Sequence, residues 1–153
     1  QEPQYDKTLD MSSFFGPIYF GVIDVDEDRI KKAFTVIEQN LRVQEESDGY
    51  MRYVGDNYYR LHETRTPNAW VITTLWVAQY HIMKAKKLSD LKRAYEILEW
   101  TCAHATKSGV LAEQIHPDTG EHLSTSPLTW SHAEFVITVD DYIKKHAELS
   151  VKK

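Results

Sequence analysis

The sequence has little of what a disulfide-stabilised, a nucleic-acid-binding or a membrane protein needs. Its single cysteine, Cys102, can close no internal disulfide, which fits a reducing compartment, and we expect the cytoplasm. The 18 Lys and Arg residues are outnumbered by 23 Asp and Glu, so no positive face is expected to bind nucleic acid. The longest uncharged run, 66–83, contains Pro, Asn, Thr, Gln and His residues. We therefore expect neither a membrane span nor a membrane partner.

What is present fits one globular domain. The 153 residues are 42% apolar, 12% aromatic and 27% charged, which excludes a disordered or collagen-like chain and allows a single sizeable core. The chain begins at Gln1 rather than Met and opens with no basic-then-apolar leader. We interpret this start as that of a processed protein or of a piece of a longer polypeptide.

Apolar periodicity predicts four helices of two kinds. The first follows an acidic cluster at 24–28 and is apolar on one side, and the third, capped by Ser89 and ending near Gly109, is likewise one-sided. The second, from about 68 to 84, and the fourth, from about 127 to 145, are apolar on several faces and are expected to be buried. No alternating run is long enough for a sheet core, so the fold class is all-α.

Two long connections, 43–67 and 109–126, are predicted to lie at the same end of the helical layer, because short connections favour antiparallel neighbours. Both exceed the roughly 12 to 15 residues beyond which irregular loops are usually functional or disordered. They are too rich in aromatic side chains for disorder. They carry Tyr50, Arg52, Tyr53, Asp56, Tyr58, Tyr59 and Arg60 in the first, and Glu113, Gln114, His116, Asp118, Glu121 and His122 in the second.

Aromatic faces beside carboxylates and arginines are typical of carbohydrate sites, since a pyranose offers an apolar face for stacking and hydroxyls for polar partners. Hydrolysis of a glycoside requires two carboxyl groups. Glu113, after the apolar Leu111 and Ala112, is the best candidate for one. Asp56 is a weaker second candidate, because its surroundings suit a turn equally well. The same aromatic loop could also simply pack and form hydrogen bonds.

Other reactive side chains have simpler interpretations. The His116, Asp118, Glu121 and His122 group surrounds a Pro-Asp-Thr-Gly turn sequence and lacks a metal-ligand spacing, so we expect a turn and no metal. Ser131 and His132 are adjacent on a helix and point apart, which excludes a nucleophile–base pair. Cys102 lies on an apolar stripe and is expected in the core, while His81 and His104 are ordinary helix residues.

Several motifs occur in a familiar order. Residues 109–114 read GVLAEQ, 117–120 read PDTG and 127–133 read PLTWSHA; upstream, 49–53 read GYMRY, 68–70 read NAW and 73–76 read TTLW. Together they resemble glycoside hydrolase family 15, the glucoamylase-like enzymes that release glucose from chain ends with inversion. The resemblance covers most of the chain.

The resemblance implies part of an (α/α)6 barrel with alternating inner and outer helices. Residues 1–153 would be the C-terminal portion of that catalytic domain, since twelve helices need on the order of 450 residues. It implies that Glu113 is the general base, that Arg52 binds glucosyl hydroxyls and that Trp70 and Trp130 line the pocket. Tyr53, Asp56 and Tyr58 follow as weaker substrate-binding candidates.

The implied partners are an α-glucoside or oligosaccharide substrate and the rest of the barrel, with no metal or organic cofactor. The family's general acid lies upstream, in a segment without a counterpart here, so this chain alone is expected to be inactive. Three alternatives stay open: a non-catalytic saccharide-binding or regulatory module, a fragment that self-associates through exposed inner helices, and a trehalase in place of a glucan hydrolase.

Overall fold

Five α-helices make up most of the computed structural model, which describes residues 6–44, 47–61 and 66–151. The helices are α1 Met11–Tyr19, α2 Asp28–Asn40, α3 Val71–Lys84, α4 Lys92–Ala103 and α5 Thr129–Val151. A short 3₁₀ turn, Leu88–Leu91, leads into α4. The predicted all-α class is confirmed. Within the described ranges, no helix combines the length and the apolar character needed to cross a bilayer.

The sequence predictions for α2 and α3 are confirmed. Helix α2 starts at Asp28, inside the acidic cluster, and buries Ile30 and Ile37 on one side. Helix α3 is buried around most of its circumference, including its polar positions Thr73, Thr74 and Gln79. It packs against α1, α4 and α5 and therefore lies at the centre of the core.

The first helix of the structure, α1, was not predicted from the sequence. Gly16 and Pro17 lie in its interior and weaken its helical signal. It forms because the Asp10 carboxylate caps it, accepting from Ser12 N at 2.7 Å. Its apolar side chains at 11, 14, 15 and 18 are all buried on one face.

Four predictions about the later helices were wrong. Helix α4 ends at Ala103, well before Gly109, and Cys102 is exposed although it was expected in the core. Helix α5 continues to Val151, past its predicted end near 145, and is buried only in part: Thr138 and Leu149 are buried, but Val136 and Ile143 are 65% and 61% exposed. An apolar residue is buried only where a neighbouring element covers it, and within the described chain nothing covers this face of α5.

The two long connections meet at the N-terminal end of α3, as predicted. They form a small antiparallel sheet from β1 Ala69–Trp70, β2 Gln114–Ile115 and β3 His122–Leu123, in the order β1-β2-β3. Trp70 pairs with Gln114, and Tyr50 forms an additional bridge to Trp70. The strands are two residues long and join the two loops, so the core remains helical.

His81 of α3 lies edge-on to Phe34 and Tyr80, with ring centroids 5.2 and 5.4 Å away. Burial lowers the pKa of His81 to about 4, and the positive charges of Arg93 and Lys84 act in the same direction. The folded protein therefore holds a neutral ring where the unfolded chain takes up a proton below about pH 6.5.

Because the folded-state pKa is the lower one, stability is expected to fall as the pH drops from 6.5 towards 4. The contribution of His81 between pH 7 and pH 5 is about 2 kcal/mol. Urea denaturation at both pH values measures it: His81→Phe, which keeps a ring, and His81→Gln should each shrink the pH 7 to pH 5 difference by that amount. An unchanged difference in both variants would contradict the assignment.

Candidate active site

Arg52, Tyr53, Asp56, Tyr58 and Trp70 form one group, which we call the arginine cluster. The guanidinium of Arg52 donates twice to Asp56, from Nε to Oδ2 and from Nη2 to Oδ1, each at 3.0 Å. Asp56 is 2% exposed, and its Oδ1 also accepts from the backbone N of Tyr58 at 3.0 Å. This two-point ion pair fixes both the direction and the plane of the guanidinium.

Three aromatic rings surround the same guanidinium. Its central carbon lies 4.3 Å from the centroid of Trp70, 4.7 Å from Tyr53 and 5.6 Å from Tyr58. Burial alone lowers the pKa of Arg52, but the hydrogen bonds and charge of Asp56 outweigh that effect, so the pKa lies above its ordinary value. A permanent cation thus sits among flat apolar faces.

Backbone contacts hold the cluster in place. The carbonyl of Arg52 accepts from Met11 N at 2.9 Å, and Tyr53 forms a bridge to Asp10. Asp56 N donates to the carbonyl of Tyr53 across a turn in which Gly55 has a φ of +78°, a conformation that glycine adopts without strain. The turn that competed with a site role for Asp56 is therefore present together with the ion pair.

Glu113 lies directly before β2 and is held at both backbone groups. Its N donates to Thr125 O at 2.9 Å, and its carbonyl accepts from Val71 N, the first residue of α3, at 3.1 Å. The Ser124 hydroxyl donates to its Oε2. Ser124 has a φ of +61°, a conformation uncommon for residues other than glycine, and this turn directs the hydroxyl to the carboxylate.

Two residues that were set aside as a nucleophile–base pair instead hold the segment before Glu113. Ser131 Oγ donates to the carbonyl of Ala112 at 2.7 Å, and His132 Nε2 accepts from Leu111 N at 3.1 Å. The first turn of α5 thus fixes residues 111 and 112, and through them Glu113. Sequence reasoning missed these roles and that of Ser124, since nothing local indicates such long-range partners.

The strand pairing connects Glu113 with the arginine cluster. Gln114 follows Glu113 and lies opposite Trp70 in the sheet. The buried Asn68 and Gln114 are joined by a 2.7 Å bond from Asn68 Nδ2 to Gln114 Oε1, and the same Nδ2 donates to Tyr59 O. Glu113 and the cluster are therefore parts of one rigid corner at the end of α3.

Trp130 is placed differently from the other predicted site residues. Its backbone lies near Glu113 through the Ser131 contact, but its ring packs against Trp76, with centroids 6.1 Å apart. The ring borders a cavity of about 290 Å³ whose wall also includes Phe15, Tyr19 and Glu134. None of the hydrogen bonds or ring contacts found in the described part of the chain joins Trp130 to the arginine cluster.

The predicted turn in the Pro-Asp-Thr-Gly sequence is present, with His116 and Glu121 on either side of it and His122 in β3. His116 Nδ1 accepts from the backbone N of Asp118 at 3.1 Å, and the carbonyl of His116 accepts from Gly120 N. His122 Nε2 lies 2.6 Å from the carbonyl of His104, in another direction. Among residues 6–44, 47–61 and 66–151, His, Cys, Asp and Glu side chains form no group of three that could hold a metal ion.

Comparison with known proteins identifies the family to which this chain belongs. The model of the glycosyl hydrolases family 15 matches residues 2–140. The chain belongs to glycosyl hydrolase family 15. The family resemblance carried by the sequence motifs is thereby confirmed.

Two curated relatives match most of the chain. An uncharacterised glycosyl hydrolase of Methanocaldococcus jannaschii is 34% identical over an alignment of 144 residues, and the match covers 88% of this chain and 22% of that protein. A glucoamylase of Clostridium sp. strain G0005 is 27% identical over an alignment of 133 residues, and the match covers 82% of this chain and 18% of that protein.

Solved structures agree with the family assignment. The chain matches a bacterial glucoamylase complexed with acarbose at a TM-score of 0.78 and 26% identity, over 91% of this chain and 21% of that one. A glycosidase at 21% identity shares the fold, with a TM-score of 0.68 over 90% of this chain and 36% of that one. The helices thus belong to an (α/α)6 barrel, and the chain spans about a fifth of the length of the first three proteins compared.

Proposed function

We propose that this chain supplies the general base and part of the glucose-binding surface of an inverting hydrolase that releases glucose from α-linked glucans or oligosaccharides. The observation that carries the proposal is the position of Glu113 in this family 15 chain. Its backbone is fixed at the N-terminal end of α3, one residue before the partner of Trp70, and the arginine cluster lies at the same corner. Glycoside hydrolysis requires a carboxylate held beside a sugar-binding surface.

In the proposed reaction, Glu113 removes a proton from a water molecule as that water attacks the anomeric carbon from the face opposite the leaving group. The bond from this carbon to the glycosidic oxygen breaks, and the leaving oxygen receives a proton from a second carboxyl group. Ser124 holds Oε2 of Glu113, which leaves Oε1 for the water. The configuration at the anomeric carbon is inverted as a result.

The arginine cluster is suited to hold the terminal glucose. Asp56 occupies Nε and Nη2 of Arg52, so Nη1 can donate to a sugar hydroxyl from a guanidinium whose orientation is already set. Tyr53 and Tyr58, which are half-buried and 47% exposed respectively, offer flat faces for the apolar side of the ring, whereas Trp70 is only 4% exposed and packs against the guanidinium. A preorganised site of this kind loses little conformational entropy on binding.

The rest of the barrel is the proposed partner of this chain. The chain spans about a fifth of its relatives, and we assign residues 1–153 to the C-terminal portion of the catalytic domain. The general acid is proposed to come from the remaining portion, so that the chain by itself is inactive. The exposed apolar side chains of α5, such as Val136 and Ile143, are proposed to face that portion, and they would drive self-association in its absence.

The anomer of the released glucose tests the mechanism. The full product of the gene is incubated with maltose and followed by proton NMR, with isomaltose and trehalose as parallel substrates. Early accumulation of β-glucose from α-linked maltose is expected, while early α-glucose would contradict a general-base role. Binding of maltose without hydrolysis of any substrate would favour a saccharide-binding module, and preference for trehalose would identify a trehalase.

A further inference from the structure

A polar chain runs between α3 and α5 beneath Trp130. Trp130 Nε1 donates to Glu134 Oε1 at 3.0 Å, and Gln79 Nε2 donates to Glu134 Oε2 at 2.8 Å. The same Gln79 Nε2 donates to Thr138 Oγ1 at 3.0 Å, and Thr138 Oγ1 donates to the carbonyl of Glu134 at 2.7 Å. Both carboxylate oxygens of Glu134 therefore accept a hydrogen bond, one from the indole of Trp130 and one from the buried amide of Gln79.

The two ends of this chain differ in burial. Gln79 and Thr138 are 2% and 0% exposed, whereas Trp130 is 51% exposed. An indole exposed to this degree samples several rotamers unless a contact selects one of them. The ring of Trp76 meets it at 61°, so it supports the edge of the indole without enclosing it.

We infer that Glu134 is a positioning residue that holds the indole of Trp130 in one orientation at the rim of the 290 Å³ cavity, ready to stack on a saccharide. The inference rests on the proposed function in one respect: the ligand that stacks on Trp130 is taken to be a saccharide. One oxygen of Glu134 is anchored to the buried amide of Gln79, and the other is thus a fixed acceptor for the indole N–H. The spacing of four residues places both side chains on the same side of α5.

The bond requires an acceptor at this position more than it requires a charge. Gln79 Oε1 is buried and has no hydrogen-bond partner among the described residues. In Glu134→Gln, the new amide oxygen can accept from Trp130, and its Nε2 can donate to Gln79 Oε1 once that amide turns. Glutamine should therefore rescue the positioning, whereas alanine should abolish it.

Two readouts on the full product of the gene test the inference. The Trp130 indole resonance is identified by its loss in Trp130→Phe, and its solvent exchange and relaxation are followed by ¹⁵N NMR in wild type, Glu134→Ala and Glu134→Gln. Maltose is then titrated into each protein. Asp140→Ala is the matched control, because it also removes an α5 carboxylate from a pair four residues apart, here with Lys144.

Glu134→Ala is expected to accelerate exchange and motion of the Trp130 indole and to weaken maltose binding about five- to tenfold, in line with loss of one hydrogen bond of ordinary strength. Glu134→Gln and Asp140→Ala should remain close to wild type in both readouts. If Glu134→Ala fails to fold, Glu134→Asp takes its place, since it keeps the charge and cannot span the same distance.

An unchanged Trp130 indole in Glu134→Ala overturns the inference, and so does a mobile indole combined with unchanged maltose binding. Failure of the glutamine rescue also overturns it. If wild type binds no maltose, the proposed function fails at this site, while the exchange measurement still decides whether Glu134 positions Trp130.

Discussion

Replacing Glu113 with glutamine is expected to lower the hydrolysis of α-linked glucosides by roughly 10² to 10⁴, the range of a general-base contribution. Glutamine keeps the volume of the side chain and an oxygen that can accept from Ser124, so the local structure should persist. It cannot take a proton from water. Initial rates with maltose in the full gene product measure the loss, and maltose binding should stay within a few-fold of wild type.

Two controls accompany the Glu113 variant. Glu121→Gln removes an exposed carboxylate from the same connection and should leave the rate unchanged, since the hydrogen bonds of Glu121 among the described residues stay within its own turn, to Thr119 and His116. Ser124→Ala should lower the rate by less than Glu113→Gln, because the carboxylate remains and only its orientation loosens. A Glu113→Gln enzyme with more than a tenth of the wild-type rate would rule out the general-base role.

Those parts of the fold that depend on local pattern could be predicted from the sequence. The one-sided stripe of α2 and the all-round apolar character of α3 each determine how a helix packs, whatever its neighbours are. The position of the two long connections followed from helix order alone. The motif around Glu113 indicated the family, and the comparisons confirm it.

The features that the sequence predictions missed or got wrong depend on residues that are distant in sequence. Helix α1 is stabilised by packing and by Asp10 despite its Gly16 and Pro17, so its local signal is poor. The exposure of Cys102 and of the apolar face of α5 depends on which element covers them, and hydrophobicity alone does not reveal this. Equally, the Ser124 contact to Glu113 depends on a backbone turn that serine rarely adopts.

Asp56→Ala is expected to destabilise the folded chain by about 3 kcal/mol, because it leaves the partly buried Arg52 cation without its partner. We place this expected loss of stability at the lower end of the range for breaking a buried ion pair, since the Arg52 side chain is 34% exposed and retains some hydration. Loss of the fixed guanidinium should also weaken maltose binding by at least tenfold. Urea denaturation followed by circular dichroism measures the loss of stability. A maltose titration at a low urea concentration, where the variant is still folded, measures the loss of binding.

A matched surface pair separates the burial effect from charge pairing in general. Asp26 and Lys86 are 2.6 Å apart, but their side chains are 46% and 68% exposed, so Asp26→Ala should destabilise the protein far less than Asp56→Ala. The double variant Arg52→Met/Asp56→Ala removes both charges and should recover part of the stability lost in Asp56→Ala, although not the maltose binding. The double variant would then regain stability without regaining maltose binding. This is expected of an ion pair whose burial costs desolvation free energy and whose role is to orient a binding group. If Asp56→Ala instead costs less than 1 kcal/mol and the double variant recovers nothing, the pair behaves as a surface contact and the cluster is not preorganised for a sugar.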